Sequence, residues 1–160
     1  MSYVFDAGSL LLLTRELGGE VVGVIKKQMT ASLAFYEIGN AIWKECRLHK
    51  RLNVSEAQKT LSFVYALMNA MKVLDVNDSS LGSDVLANAV KLKITYYDSA
   101  YLTLAEKFKA VLVTDDKKLE KASIKAGIKT AASKDFMPSP DMHTRRNSRP
   151  NSPCDAHVYR

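Results

Sequence analysis

The sequence predicts an α/β domain built on a mainly parallel central sheet. Two observations carry that expectation. Short apolar runs alternate with longer helical patterns from residue 2 to residue 131, the order that yields strand–helix–strand units with helices on both faces of a sheet. The run "AVLVT" at 110–114 is unbroken and apolar, as a buried parallel strand requires.

The elements follow in order along the chain. "SYVF" (2–5) reads as a short buried strand. "GSLLLLTREL" (8–17) reads as a helix that stops at the glycine pair 18–19. "EVVGVIKKQ" (20–28) fits either a strand or a short helix. "MTAS" (29–32) fits a second strand, and Leu33 to about Lys50 a helix. The next helix spans about 55–72, capped by Asn53 or Ser55 with Glu56 in its first turn. Its residues Ala57, Leu61, Val64, Met68 and Met71 share one face and read as core. "KVLDV" (72–76) reads as a strand, and "SSLGSDVLANAVKLK" as a helix capped by Ser79 or Ser80. "YDSAYLTLAEKF" (97–108) is a further helix. "DKKLEKASIKAG" (116–127) is a helix stopped by Gly127, and "IKTA" (128–131) a last short strand.

A domain over residues 1–136 and a tail over 137–160 are expected. The tail holds all four prolines and little apolar periodicity, so it reads as a disordered extension or, more sharply, as a basic RNA-gripping arm.

Bulk composition excludes several classes. At 47% apolar and 25% charged residues the chain is an ordinary globular protein. No apolar run approaches the roughly 20 residues of a spanning helix, and the N-terminus lacks signal-peptide order, so no membrane association and a cytoplasmic location are expected. Cys46 and Cys154 form no disulfide framework, and His49, His143 and His157 have no zinc spacing. Any metal must therefore be held by oxygen. The net charge of +6 is compatible with a polyanionic partner without requiring one.

The acids carry the chemistry. Asp6 follows the first strand, and Asp115 and Asp116 follow the late strand "AVLVT", where open parallel sheets gather functional groups. Glu37 and Asp98 lie in helices among apolar neighbours, where a carboxylate is costly to bury without a partner. Each has a structural alternative: Asp6 and Asp116 as helix N-caps, Asp98 in a favourable first turn, Glu37 paired with a lysine. If the acids converge they repel one another, and a divalent cation with oxygen ligands resolves that repulsion.

These residues carry a resemblance. "VFDAGS" matches a pattern V-x-D-A/T-S, with glycine as a departure between Ala7 and Ser9 that leaves the acid intact. "EIGNAI" matches E-hydrophobic-x-N-A, "YDSAYLTLA" matches Y-D-A/S-x-Y-x-x-L-A, and "LVTDDKKL" matches L-V-T-x-D-x-x-L. In that order, over about residues 2–132, the chain resembles a PIN-domain ribonuclease of the VapC toxin type.

The resemblance implies a PIN-like three-layer α/β/α fold. It also implies Mg²⁺- or Mn²⁺-dependent endonucleolytic hydrolysis of RNA, leaving a 5′-phosphate and a 3′-hydroxyl. It assigns metal binding and catalysis to Asp6, Glu37, Asp98 and Asp116, with Asn40 and Thr114 as supporting polar residues. Asp115 falls at a variable position and ranks below Asp116. A homodimer and a cognate antitoxin partner are implied as well.

Positive charge for an RNA substrate is expected from Lys44, Lys117 and Lys118, with Arg15 and the tail arginines weaker, though such lysines also suit a plain solvated face. Tyr96, Tyr97 and Tyr101 are candidates for base stacking or for packing. Rival readings fit less well. A dehalogenase-type phosphatase needs a second acid where Gly8 stands, and a receiver domain needs its acid pair near the first strand. The remaining alternative is a catalytically weak PIN domain that acts as an RNA- or protein-binding module.

Overall fold

The structure is a computed structural model that describes residues 1–77 and 79–138. Its five strands are β1 (Tyr3–Phe5), β2 (Met29–Ala31), β3 (Lys72–Leu74), β4 (Val111–Val113) and β5 (Thr130–Ala131). They form one sheet in the order β3-β2-β1-β4-β5, and every pairing is parallel. The expected mainly parallel sheet is thus entirely parallel.

The helices are α1 (Ala7–Leu17), α2 (Val22–Ile25), α3 (Ala34–Arg47), α4 (Val54–Met68), α5 (Ser79–Leu92), α6 (Tyr96–Lys107) and α7 (Lys117–Lys125). The ambiguous segment resolves without a strand, as a 3₁₀ turn at Gly18–Val21 followed by the single turn of α2. Gly18 adopts φ +54, a left-handed conformation that costs glycine little. The helix placed at 55–72 ends earlier, at Met68, and Met71 is buried in the turn before β3. Asn53 is its cap, in a reciprocal capping box with Glu56. Helix α5 begins at Ser79, so Ser79 and Ser80 lie in its first turn and do not precede it as caps.

The core surrounds β1. Val4 and Phe5 are fully buried, as are Leu112 and Val113 of β4. Helix α6 packs over β1, β2 and β4, and its residues Ser99 to Ala105 are buried. Phe136, in a 3₁₀ turn at Ser133–Phe136, packs edge-on to Tyr3 at 5.1 Å and tilted against Phe5 at 5.5 Å. Met137 also packs on this core. The tail expected from 137 lies outside the described residues from position 139 onward. Among the described residues, no helix is long and apolar enough to cross a membrane.

Strand order locates the functional edge. From β1 the chain steps to β2 and β3 on one side, then returns to place β4 and β5 on the other. The order reverses between β1 and β4, and the crevice beyond the carboxyl ends of strands at such a reversal is where open α/β sheets bind ligands.

Candidate active site

Asp6 is the first residue after β1 and the N-cap of α1. Its Oδ1 accepts from the Ser9 amide at 2.6 Å. The Ser9 hydroxyl lies 2.6 Å from the same oxygen and 2.9 Å from the Val113 carbonyl of β4, so its single proton goes to one acceptor or the other. Asp116 caps α7, accepting from the amides of Lys118 and Leu119 on Oδ1. Glu37 lies in the first turn of α3, and Asp98 in the first turn of α6 behind the cap Thr95. Four helices therefore direct their N-termini, which carry partial positive charge, toward the four acids.

All four acids line one cleft of about 250 Å³, together with Ala7, Gly8, Leu11, Ile38, Ala41 and Tyr101. The capping alternative holds for Asp6 and Asp116 as local geometry, and it does not scatter them. The lysine pairing weighed for Glu37 is absent: among the described residues no ion pair involves any of the four. Glu37 instead accepts from the Tyr101 hydroxyl at 2.6 Å.

Electrostatics follow from this crowding. Burial pushes the Asp6 carboxyl above the ordinary range; hydrogen bonds from Ser9 and Thr114 pull it back, and the charge of Asp115 adds to the rise. Burial also raises Glu37, against the Tyr101 bond and with the charges of Asp6 and Asp98. Tyr101 is itself pushed far above the usual phenol range by burial and by Glu37, so it stays a protonated donor.

The other residues singled out in the sequence divide. Thr114 is buried; its hydroxyl accepts from the Asp116 amide at 3.1 Å and also hydrogen-bonds to the Asp6 side chain. It links the two strand-end acids. Asn40 is exposed on α3, one turn past Glu37, and is not part of the cleft wall. Asp115 turns away, accepting from the amide of Ser133 at 3.1 Å and from its hydroxyl, which fastens the turn carrying Phe136. Lys117 pairs with Glu120 at 2.9 Å, while Lys118 and Lys44 are exposed and, among the described residues, make no ion pair. Arg15 pairs with Glu45 at 3.8 Å.

Tyr101 does not fit the stacking role. It is 1% exposed, whereas Tyr96 and Tyr97 are 43% and 62% exposed. Tyr101 and Ser9 are partners that sequence reasoning did not assign. Each lies three residues after a cleft acid, a spacing that returns to the same helix face.

The four acids do not form a closed ligand set: among the described residues, no three carboxylate, imidazole or thiol groups already meet as one. The donor chemistry nevertheless fits a hard divalent cation, because every charged group in the cleft wall is a carboxylate and such ions take oxygen ligands with waters completing the shell. The amides of Lys118 and Leu119 both donate to Oδ1 of Asp116, and the Tyr101 hydroxyl donates to Oε2 of Glu37.

Comparison with known proteins places this chain in a family. No family model matches the chain. The curated protein named Exonuclease VapC9, from Pyrobaculum aerophilum, is 35% identical over 119 residues, covering 74% of this chain and 84% of that protein. The chain belongs to the VapC family of PIN-domain proteins. A second VapC of that organism, named Ribonuclease VapC3, is 32% identical over 124 residues, covering 74% of this chain and 92% of its own length. Among solved structures, PAE2754 from Pyrobaculum aerophilum superposes with a TM-score of 0.69 at 27% identity, over 85% of this chain and 92% of that one. The VapBC2 structure from Rickettsia felis, bound to a promoter DNA fragment, gives 0.59 at 12% identity over 82% and 98%. At that distance it speaks for the VapC fold alone.

Proposed function

We propose that the chain is a metal-dependent endoribonuclease and the toxin of a toxin–antitoxin pair. The observation that carries this reading is the meeting of Asp6, Glu37, Asp98 and Asp116 in one cleft at the switch point of a VapC-family sheet. The relatives' names, one a ribonuclease and one an exonuclease, support nuclease chemistry. Magnesium or manganese is the ion this oxygen donor set would hold.

When bound, such an ion supplies an activated water and offsets charge on the scissile phosphate. Asp6 and Asp116 would hold it, each already oriented by a capped helix and joined through Thr114. Glu37, kept in place by Tyr101, would orient the attacking water. Asp98 projects from the same helix as Tyr101 and would bind the ion directly or through water. Lys44 and Lys118 would meet the RNA backbone. The likeness to the VapBC2 and VapBC-1 structures supports a cognate antitoxin covering this cleft. A homodimer in the cytoplasm completes the reading.

The decisive experiment uses a circular single-stranded RNA, which only an endonuclease can open. The protein should linearise it with Mn²⁺ or Mg²⁺ and stop in EDTA. Asp6→Asn should lose cleavage and keep its circular dichroism spectrum, because asparagine caps helices as well as aspartate does. Cleavage by Asp6→Asn at the parent rate would remove Asp6 from the site. RNA bound but never cut with either ion would leave a binding module.

A further inference from the structure

A second hollow lies along the same carboxyl edge of the sheet, over β2 and β3. It measures about 290 Å³ and is lined by Ser32 and Leu33 after β2, by Asp75, Val76 and Asn77 after β3, and by Tyr96, Tyr97 and Ala100 of α6. We propose that it is a nucleobase subsite for single-stranded RNA, holding a base next to the phosphate at the acidic cleft. This rests on the endoribonuclease reading above.

The two hollows share their walls. On α6, Tyr97 and Ala100 line the second hollow while their neighbours Asp98 and Tyr101 line the acidic cleft. Across from them, Leu33 lines the second hollow, and Glu37, one turn later, lines the first. A strand of RNA crossing the acidic cleft along this edge passes over the second hollow.

The lining suits a base and excludes the backbone. Tyr97 is 62% exposed and presents an accessible ring face on which a base can stack. Tyr96 forms a fixed wall, because its hydroxyl lies against α5 at Gly82, 3.5 Å from where a Cβ would stand. Asp75 repels phosphate but accepts from the N–H groups of a base edge, and Asn77 both donates and accepts. Asp75 has no ion pair among the described residues.

The test reads binding without chemistry. Fluorescence anisotropy in EDTA would compare the full-length parent, Tyr97→Ala and Tyr97→Phe on a short labelled single-stranded RNA, and on versions with the base removed at one position at a time. Tyr97→Ala should weaken the intact RNA about tenfold, and Tyr97→Phe should restore most of it. One base deletion should weaken the parent equally and add nothing to Tyr97→Ala. Additive losses at every position, or no loss in Tyr97→Ala, would overturn the subsite. So would a fall in mass by light scattering in Tyr97→Ala, which would give the hollow to a second copy of the chain. Because no cleavage is measured, an inactive protein that still shows the positional signature would sink the nuclease reading and spare the subsite.

Discussion

Tyr101 of α6 donates its hydroxyl to Glu37 of α3 at 2.6 Å, across 64 residues of sequence. This bond lowers the Glu37 pKa, opposing the rise caused by burial and by the charges of Asp6 and Asp98. Tyr101→Phe removes it without changing the shape of the ring. The Glu37 pKa then rises further, so the acid limb of the pH–rate profile should move to higher pH. A bond to a charged group is worth about 1.5–3 kcal/mol, so the move should reach a full pH unit or more. An unmoved acid limb would mean that Glu37 is not the group that titrates in catalysis.

Asp6 and Glu37 also make stability depend on pH in an unusual direction. Both pKa values are raised in the folded chain, chiefly by burial. A raised carboxyl means the native state binds more protons than the unfolded one. The resulting stabilisation is complete below the ordinary carboxyl range and is lost as pH rises through the raised values. In EDTA, the melting temperature should therefore climb as pH falls through the raised values toward the ordinary carboxyl range, by roughly 2–4 °C per kcal/mol. Saturating Mn²⁺ should stabilise most where the acids are ionised, flattening or reversing that slope. A melting temperature that falls on acidification in EDTA would contradict the burial of these two acids.

The legible parts of the fold are those set by local pattern. The run "AVLVT" forms β4, the glycine at 18 ends α1, and the Asn53–Glu56 spacing closes a capping box. Residues 20–28 were ambiguous because Val and Ile suit strands, yet Val22–Ile25 turns once as helix to carry the chain from α1 to β2. The order β3-β2-β1-β4-β5 depends on pairings distant in sequence, such as Phe5 with Val113, which no local pattern records. The cleft acids stood out because they lie at strand ends or on apolar helix faces. Their partners did not: Tyr101 meets Glu37 only after α6 packs over β1 and β2 and α3 packs against α1 and α4.

Adjacent acids at 115 and 116 point to opposite sides, as neighbours in extended chain do. Asp115 holds Ser133, while Asp116 lines the cleft. Asp115→Ala should therefore cost stability, up to about 1.5–3 kcal/mol for each of the two lost bonds to a charged group and less as solvent screens this exposed carboxylate, and leave kcat within a few-fold. Asp116→Asn should keep the α7 cap and lose cleavage. Paired thermal melts and rates for the two variants check this. Equal loss of activity in both, with equal stability, would return Asp115 to the site.

The lysines separate by their existing partners. Lys117 already faces Glu120, so its charge is partly answered within α7. Lys118 has no such partner among the described residues, and Lys44 stands one turn beyond Ala41, a cleft-wall residue on α3. Each phosphate neutralised on a single strand contributes about −0.7 to the slope of log affinity against log salt. Lys118→Ala and Lys44→Ala should each reduce that slope by roughly this amount, and weaken RNA binding uniformly across sequences. Lys117→Ala should change it less, because removing the lysine also frees Glu120 to repel the strand without removing a prior phosphate contact. Titrations of labelled RNA against NaCl for the three variants measure the difference. A Lys117→Ala slope change as large as that of Lys118→Ala would show that the Glu120 pair opens to admit RNA.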